Sequence, residues 1–217
     1  EESTYANFIP LQMKTPLPKP MSSIFDSRNE SHSIEELISM AEDFLSNFHF
    51  TEDQRILLEL LTRNQFKSIL WGKHREGRIT ASNAHAVLHT DWTNPSKTIV
   101  QKMCYPDRAA FDSTSTKWGR VNEKKALKSV TEHIKKTCLP DAVLLPCGLF
   151  ICQQQPFLGA TPDSKVLCEC HGLSLIEVKC PYSHRDHTIR DAILADKSFC
   201  LEEVKENNFM LKCSHMY

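Results

Sequence analysis

Residues 158–181 read LGATPDSKVLCECHGLSLIEVKCP, and this stretch decides which fold the sequence predicts. Two runs of apolar, β-prone residues, 157–167 and 173–179, flank a short turn that contains Cys and Gly. This pattern is typical of a β-hairpin. A third strand-like run, 143–152, precedes the hairpin and is interrupted at residues 146–148. We therefore expect three consecutive strands in this part of the chain.

Three charged side chains are expected at the rim of this hairpin. Asp163 lies near the start of the first strand, and Glu177 and Lys179 lie two residues apart in the second. Because side chains alternate along a strand, Glu177 and Lys179 would share one face. Buried charges of this kind are costly unless they pair or hold a metal. A solvated hairpin face is one interpretation, and an Mg²⁺ or Mn²⁺ site with oxygen ligands is the other.

Composition sets broad limits on the class of protein. The chain has 217 residues, enough for one domain with a sizeable core plus an extension. Its net charge of −1 argues against a general polyanion binder, so any affinity for nucleic acid must come from a local patch. No apolar run approaches the ~18 residues of a membrane span, so no membrane partner is expected.

The first residue and the cysteines suggest a cellular compartment. The chain starts at Glu1 rather than Met and shows no signal peptide, so we expect a cut or processed end. Nine cysteines, an odd number, predict reduced thiols in a nuclear or cytoplasmic protein. The sequence Cys168-x-Cys170-His171 could begin a zinc site, but no second pair follows at finger-like spacing, which favours a plain turn.

The sequence suggests three regions. Residues 1–33 form a Pro/Ser-rich arm or linker. Residues 34–70 predict a helical hairpin, with capping-box starts at Ser33 and Thr51 and a break in the second helix near Asn64. The remaining residues, 71–217, contain the strands described above.

A basic motif opens the third region. Residues 71–82 read WGKHREGRITAS, and either Thr80 or Ser82 is expected to cap the helix that follows. A basic loop that leads into a helix N-terminus can bind an anion. The alternative is an ordinary capped helix with an exposed Arg.

A second helix is predicted from about residue 116 to residue 136. Its apolar face contains Trp118, Ala126 and Leu127, and Glu123 lies on the same face, so Glu123 is not a free surface charge. Between residues 117 and 136 seven basic residues face two acidic ones. Such a stripe is either a solvated face or a surface that follows phosphates.

Four motifs carry a resemblance to a known family. Asp163 followed by Glu177-Val178-Lys179 resembles the PD-(D/E)XK nuclease signature. The longer motifs GATPD, IEVKCP and RITAS, together with the Trp-Gly-x-x-x-Glu-x-x-Ala helix around Glu123, resemble the lambda exonuclease / YqaJ-like viral recombinase family. The resemblance covers roughly residues 68–217.

The resemblance implies an α/β fold with a restriction-endonuclease-like core: a helix, a three-stranded mixed sheet and a helix, after an α-helical N-terminal region. The family's C-terminal helix and strand would lie after Tyr217, so we expect a nuclease domain, 71–217, that is C-terminally incomplete.

The resemblance also implies roles for individual residues. Asp163 and Glu177, the Val178 carbonyl and Glu123 would bind Mg²⁺ or Mn²⁺, and Lys179 would orient the attacking water. The residues implied for the 5′-phosphate of a DNA end are Arg75, Ser82 and Thr161. The residues expected to contact the DNA backbone are Arg78, Lys117, Arg120 and Lys124.

The function implied is that of a metal-dependent DNA exonuclease, with 5′→3′ digestion from double-stranded ends during recombination or end processing. A single-strand annealing recombinase is a candidate partner. Two alternatives stay open: a catalytically inactive DNA-binding or scaffold module derived from such a nuclease, and a structure-selective endonuclease.

Overall fold

A computed structural model of the protein describes residues 16–106, 113–137, 143–170 and 172–212. It confirms a mixed α/β protein with several helices and small sheets. The chain divides into two compact units: unit 1 is Glu1–Ala110 with Leu145–Lys165, and unit 2 is Phe111–Leu144 with Val166–Tyr217. This division does not coincide with the boundary that the sequence suggested at residue 70. The first 15 residues of the predicted arm lie outside the described residues.

The helices are α1 (Ile34–Asn47), α2 (Glu52–Leu61), α3 (Ile69–Arg75), α4 (Ala84–Leu88), α5 (Lys97–Cys104), α6 (Thr114–Thr137) and α7 (Ile189–Ala195). The strands are β1 (Ile79–Thr80), β2 (Val143–Pro146), β3 (Phe150–Ile151), β4 (Leu158–Ala160), β5 (Ser164–Cys168), β6 (Gly172–Ile176), β7 (Leu201–Lys205) and β8 (Asn208–Leu211). Within the described residues, no helix is long and apolar enough to cross a membrane.

Both predicted capping boxes of unit 1 are confirmed. Ser33 Oγ accepts from the Glu36 amide at 3.2 Å, and Glu36 Oε2 accepts from the Ser33 amide at 2.7 Å. Thr51 and Gln54 repeat this arrangement at the start of α2. These reciprocal bonds satisfy two amides that a helix start otherwise leaves unpaired, which is why local sequence was sufficient to locate both helices.

The predicted break near Asn64 is also confirmed. Helix α2 ends at Leu61, a 3₁₀ turn covers Gln65–Lys67, and α3 then begins at Ile69. Gln65 has a φ of 47°, which lies in the left-handed region. A right-handed helix cannot continue through that backbone conformation. Its side-chain amide donates to the Cys147 carbonyl at 3.1 Å, so the turn is held by a residue far along the chain.

The core of unit 1 forms where the end of α2 packs against the chain before β3. Phe50, Leu58, Leu149 and Ile151 are buried together, and Trp71 packs against them from α3. Burial of such side chains is the main favourable term in folding, at roughly 1.5–3 kcal/mol for each large apolar side chain.

A close backbone approach locks this contact. Thr62 Oγ1 donates to the Leu58 carbonyl at 2.6 Å and accepts from the Leu149 amide at 2.8 Å. The Gly148 amide donates to Glu59 Oε1 at 3.1 Å. A Cβ on Gly148 would lie 1.9 Å from the Glu59 carbonyl oxygen, so only glycine fits between the helix and the strand.

Unit 1 contains a small mixed sheet. β1 pairs in parallel with β4, with Ile79 opposite Leu158, and β3 pairs antiparallel with β4, with Ile151 opposite Gly159. The sequence predicted one strand over 157–167, whereas β4 and β5 are separate strands in different sheets. Pro162 lies between them, and the missing amide of proline weakens a continuous strand.

The second sheet has the strand order β2-β5-β6 and contains the predicted hairpin. The turn between β5 and β6 lies where the sequence placed it, which confirms the hairpin. However, β6 ends at Ile176, so Glu177, Val178 and Lys179 follow the strand rather than forming part of it. The prediction that these three residues lie within a strand is therefore wrong.

Unit 2 contains α6 as predicted, and it also contains α7. A β7–β8 hairpin in this unit was missed by the sequence analysis. β7 and β8 pair antiparallel, with Glu202 opposite Met210 and an irregularity between Glu203 and Lys205. Arg190 of α7 forms an ion pair with Glu203 of β7. The buried Ala192 and Phe199 supply apolar contacts in the same region.

We expect Gly148→Ala to destabilise the protein by about 1–3 kcal/mol or more, because the new methyl group meets helix backbone that cannot move aside. Gly119→Ala in α6 is the matched control. Nothing lies within 4 Å of the Cβ it would add, so we expect a gain of about 0.5–1 kcal/mol from helix propensity. Urea unfolding measures both, and equal effects of the two substitutions would contradict the proposed fit.

The stability of the protein should also depend on His74. Its side chain is buried in α3, and burial, followed by the charge of Arg78, lowers the pKa of His74 to about 4. The unfolded chain takes up a proton near pH 6.5, whereas the folded state resists it until about pH 4. The free energy of unfolding is therefore not reduced by His74 above pH 6.5. It falls by about 3 kcal/mol as the pH falls from 6.5 towards 4.

Urea unfolding between pH 7 and pH 4 tests this expectation. His74→Leu should reduce the loss of stability across that range, because the substituted side chain cannot bind a proton. His133→Gln on the exposed side of α6 serves as the control for loss of an imidazole. An unchanged pH slope in His74→Leu would contradict the assignment.

Candidate functional site

The three residues assigned to the 5′-phosphate all lie in unit 1 and are linked by one tryptophan. Arg75 Nη2 donates to Ser82 Oγ at 3.1 Å. The Arg75 guanidinium lies 4.0 Å from the centre of the Trp71 ring, and Trp71 Nε1 donates to Thr161 Oγ1 at 3.0 Å. The stacked ring restrains the plane of the guanidinium, while its N–H fixes the Thr161 hydroxyl.

A cavity of about 200 Å³ opens beside Arg75. Its walls are Arg75, Thr80, Ser82, Asn83, Lys102 and Pro106. Two cations, two hydroxyl groups and an amide therefore face one space, and none of these lining residues is acidic. This set of donors is complementary to a compact anion such as a phosphate group.

Lys102 is the residue of this cavity that the sequence analysis missed. It belongs to α5, whose Met103 carbonyl accepts a 2.8 Å hydrogen bond from the Gly77 amide. Gly77 has a φ of 73°, a conformation that glycine adopts without a steric penalty. This bond brings the end of α5 beside the loop after α3, and no local pattern in the sequence indicates such a contact.

The predicted helix cap at Thr80 or Ser82 is wrong. The residue before α4 is Asn83, and α4 has only five residues. Asn83 Oδ1 accepts from the Thr80 amide at 2.7 Å, and Asn83 Nδ2 donates to the Arg78 carbonyl at 3.1 Å. Asn83 thus joins the two ends of the loop 78–83 through its side chain. The Ser82 hydroxyl is not used as a helix cap and instead bonds with Arg75 and Thr80.

Arg78 does not have the predicted role at the DNA backbone, because its side chain is fully buried. Its Nε donates to the Pro156 carbonyl at 3.0 Å, and its Nη1 donates to the His74 carbonyl. Burial lowers the pKa of the Arg78 guanidinium to about 10, so it stays charged at neutral pH. Its position is structural: it joins the end of α3 to the chain before β4.

Asp163 lies in unit 1, half-buried, immediately before β5. The residues on either side are fixed. The Pro162 carbonyl accepts from Gln65 Nε2 at 3.3 Å, and the Ser164 hydroxyl donates to the Leu145 carbonyl at 3.0 Å. These bonds hold the backbone on both sides of the Asp163 carboxylate.

The remaining acidic and catalytic candidates lie in unit 2. Lys179 and Glu177 form an ion pair, and both side chains are more than half exposed. Although β6 has ended, the two residues do lie together, as the sequence predicted. They line a cavity of about 500 Å³ whose walls include Trp118 and Asn122 of α6. Val178 between them is half-buried.

Helix α6 orients its charges as predicted. Glu123 is half-buried on the side of Trp118, whereas Lys117, Arg120 and Lys124 are exposed. The periodicity of the sequence was sufficient for this assignment because the helix is long and regular.

Neither unit, within its described residues, contains three His, Cys, Asp or Glu side chains grouped so as to hold a metal. The alternative zinc site that the sequence suggested consists of Cys168, Cys170 and His171. The two sulfur atoms lie 3.5 Å apart, and His171 lies outside the described residues. The carboxylate candidates for Mg²⁺ are divided between the units, with Asp163 in unit 1 and Glu123 and Glu177 in unit 2.

Two crystal structures are among the known structures to which this chain is similar. One is a SOX–DNA complex, with 21% identity and a TM-score of 0.38, covering 58% of this chain and 24% of that chain. The other is the Shutoff and Exonuclease Protein from Kaposi's sarcoma-associated herpesvirus, with 21% identity and a TM-score of 0.39, covering 60% of this chain and 26% of that chain. The chain therefore spans about a quarter of the length of these proteins.

No curated protein is significantly similar to this sequence. A family model, by contrast, matches residues 70–216, close to the segment that the motifs indicated. That match includes every predicted site residue, from Arg75 to Lys179. The chain belongs to the YqaJ-like viral recombinase domain family.

Proposed function

We propose that this protein is a metal-dependent DNA nuclease that digests duplex DNA from its ends in the 5′→3′ direction. The observation that carries the proposal is the cation-lined cavity of unit 1, where Arg75, Lys102 and the Ser82 hydroxyl face one space. Family membership supports it, because a recombinase pathway needs DNA ends with one strand removed. A single-strand annealing recombinase would then receive the exposed strand.

The proposed catalytic core is of the PD-(D/E)XK type. In chain order, α6 is followed by the strands of the β2-β5-β6 sheet and then by α7. Strands β3 and β4, which belong to the other sheet, lie between β2 and β5 in the chain. The order of the remaining elements supports the proposed helix, three-stranded sheet, helix core. Asp163 precedes β5 and Glu177 follows β6, so the two acids flank the β5–β6 hairpin.

The residues proposed to hold Mg²⁺ or Mn²⁺ are Asp163, Glu177, Glu123 and the Val178 carbonyl. All of them offer oxygen, the ligand that these hard cations prefer, so the chemistry of the donor set fits. When bound, the ion would acidify its water and neutralise charge on the scissile phosphate.

Lys179 is proposed to act on the attacking water or on the developing phosphorane charge. Its ammonium group is already held beside Glu177 by the ion pair. An ammonium has three N–H donors, so one bond to Glu177 leaves two for water or a phosphate oxygen. A positive charge fixed in this place stabilises the transition state without reorganisation.

The cavity of unit 1 is proposed to hold the 5′-phosphate of the DNA end. The Arg75 guanidinium can make two parallel bonds to phosphate oxygens, and Trp71 restrains its plane. Ser82 and Lys102 add a hydroxyl and a second charge. An anchored phosphate fixes the register of the scissile bond, so its loss should lower turnover through misplacement.

The exposed side of α6 is proposed to contact the backbone of the substrate. The residues proposed for this role are Lys117, Arg120 and Lys124, which are exposed. Arg78 is excluded from it because its side chain is buried. Such contacts bind any sequence and weaken with salt, which suits an enzyme that moves along DNA.

We expect Glu177→Gln and Asp163→Asn to abolish Mg²⁺-dependent digestion of end-labelled duplex, because an amide is a poor ligand for Mg²⁺. Lys179→Ala should lower turnover by about 10²-fold or more, the usual effect of one transition-state donor, while Mg²⁺ binding persists. The exposed Glu202→Gln is the matched control. If the parent protein binds duplex DNA yet digests none with Mg²⁺ or Mn²⁺, the inactive-module alternative is correct.

We expect a duplex with 5′-phosphate ends to be digested faster than one with 5′-hydroxyl ends. Arg75→Ala and Lys102→Ala should each reduce that preference, and Arg75→Lys should restore only part of it, because an ammonium cannot form the bidentate contact. The rates of digestion of the two duplexes measure the preference for each variant.

Two matched controls accompany this experiment. Lys97→Ala changes an exposed lysine of α5 outside the cavity, and Arg28→Ala changes an exposed arginine, so both should keep the preference. A covalently closed circle should survive. Efficient nicking of the circle, unaffected by Arg75→Ala, would refute the exonuclease proposal and support the endonuclease.

A further inference from the structure

Two histidines of unit 2 direct their ring nitrogens at each other. His184 ends the 3₁₀ turn Tyr182–His184, and the His187 amide donates to the His184 carbonyl at 3.0 Å. This turn brings His184 Nδ1 and His187 Nδ1 to 3.3 Å. Both rings line the 500 Å³ cavity described above.

Asp196 decides which nitrogen of His184 carries hydrogen. One oxygen of Asp196 accepts from the Ser198 amide at 2.8 Å and from the Ser198 hydroxyl at 2.6 Å. Its other oxygen lies 3.1 Å from His184 Nε2. A carboxylate accepts hydrogen bonds and has no N–H to donate, so the Ser198 groups and the His184 ring are the donors in these three contacts.

His184 Nε2 is therefore the donor, and Nδ1 of the neutral ring keeps its lone pair. The ring is held in this orientation by more than the carboxylate. It packs edge-on against Phe199 with centroids 5.2 Å apart, and its side chain is only 12% exposed. The lone pair of His184 Nδ1 therefore has a fixed direction, towards His187.

The distance between the two nitrogens fits a metal ion. Zn²⁺ binds imidazole nitrogen at roughly 2.0–2.1 Å in tetrahedral geometry, which places two such nitrogens about 3.3 Å apart. A carboxylate behind a histidine is the usual outer partner of such ligands, since it sets the tautomer and raises the basicity of the ring. The trio His187, His184 and Asp196 has both features.

We propose that His184 and His187 bind a transition-metal ion of the Zn²⁺ class through Nδ1 of each ring, with Asp196 as the outer partner of His184. Because the His184 lone pair faces His187 Nδ1 at 3.3 Å, a neutral His187 is the donor in this contact and carries its hydrogen on Nδ1. Metal binding moves that hydrogen to Nε2, so no proton is released from the neutral pair. This site goes beyond the nuclease proposal and does not use the ligands of that proposal.

The coordination of this site is open. No third His, Cys, Asp or Glu ligand is grouped with the pair among the described residues of unit 2. Cys180 and Cys200 line the same cavity, and thiolates are preferred Zn²⁺ ligands. Neither thiol is grouped with the two imidazoles, so the remaining positions are filled by water, or by a thiol that moves to the ion on binding.

Titration of the full chain with Co²⁺, a coloured substitute for Zn²⁺, tests the proposal. We expect one Co²⁺ at the histidine pair in each chain, seen as a change in the visible absorption of Co²⁺ that is lost when Zn²⁺ is added. His187→Ala and His184→Ala should each abolish the absorption, and Asp196→Asn should weaken binding. A sulfur-to-cobalt band that disappears in Cys200→Ser or Cys180→Ser would identify a thiol ligand.

The pair His85 and His89 provides a matched control. Their rings stack with centroids 4.1 Å apart, and His89 Nδ1 lies 2.8 Å from the His85 carbonyl, so the two Nδ1 atoms do not face each other. His89→Ala should keep the Co²⁺ absorption. His187 is exposed, so His187→Ala should keep the parent's unfolding midpoint without metal, which separates a lost ligand from a lost fold.

The Co²⁺ experiment also distinguishes the histidine site from the proposed nuclease site. Glu177→Gln should lose digestion but keep the absorption change of the histidine pair, because Glu177 is not a ligand of that pair. Absence of the absorption in the parent protein, or equal losses in His89→Ala and His187→Ala, would overturn the histidine site.

Discussion

The arrangement of unit 1 depends on one buried charge. The Arg78 guanidinium is fully buried, and a charge in that environment must be met by hydrogen bonds. It donates to the carbonyls of His74 and Pro156, and the Arg78 amide donates to the Arg75 carbonyl at 3.1 Å. These bonds fix the end of α3 against the chain that enters β4. Arg75, Thr80 and Thr161 are positioned by the same backbone, so the anion cavity depends on a residue that cannot reach an anion itself.

Trp71 connects the cavity to the hydrophobic core. Its ring packs against the buried core cluster, lies beside the Arg75 guanidinium, and donates its N–H to Thr161. The same aromatic side chain therefore contributes to stability and to the geometry of the site. A guanidinium restrained in this way would lose little freedom on binding the proposed phosphate, so less of the binding energy would be spent on ordering.

Sequence was a good guide wherever the deciding interaction is local. The capping boxes at Ser33 and Thr51, the β5–β6 turn and the Glu123 side of α6 depend on residues within a few positions of each other. It failed where a distant partner decides. The sequence predicted Arg78 to be a surface cation, because its burial depends on the distant Pro156. It gave no indication of Lys102, because α5 is positioned by the hydrogen bond between Gly77 and Met103. Even so, the ion pair of Glu177 and Lys179 persists beyond the end of β6, since a spacing of two residues keeps them close in any extended backbone.

The two proposals would place two kinds of cation chemistry in the cavity of unit 2 without making them compete. Glu177 offers oxygen, which suits Mg²⁺, whereas His184 and His187 offer imidazole nitrogen, which suits Zn²⁺ and its neighbours. The charged side chains that line the cavity are Glu177, Lys179 and Arg185, so its lining is only weakly positive. A divalent ion at the histidine pair would become the largest local charge and would strengthen the attraction of this cavity for a phosphate-bearing strand. Occupancy of the proposed histidine site would thus act on substrate binding through the electrostatic field, while the ligand preferences of the two proposed sites would keep their ions separate.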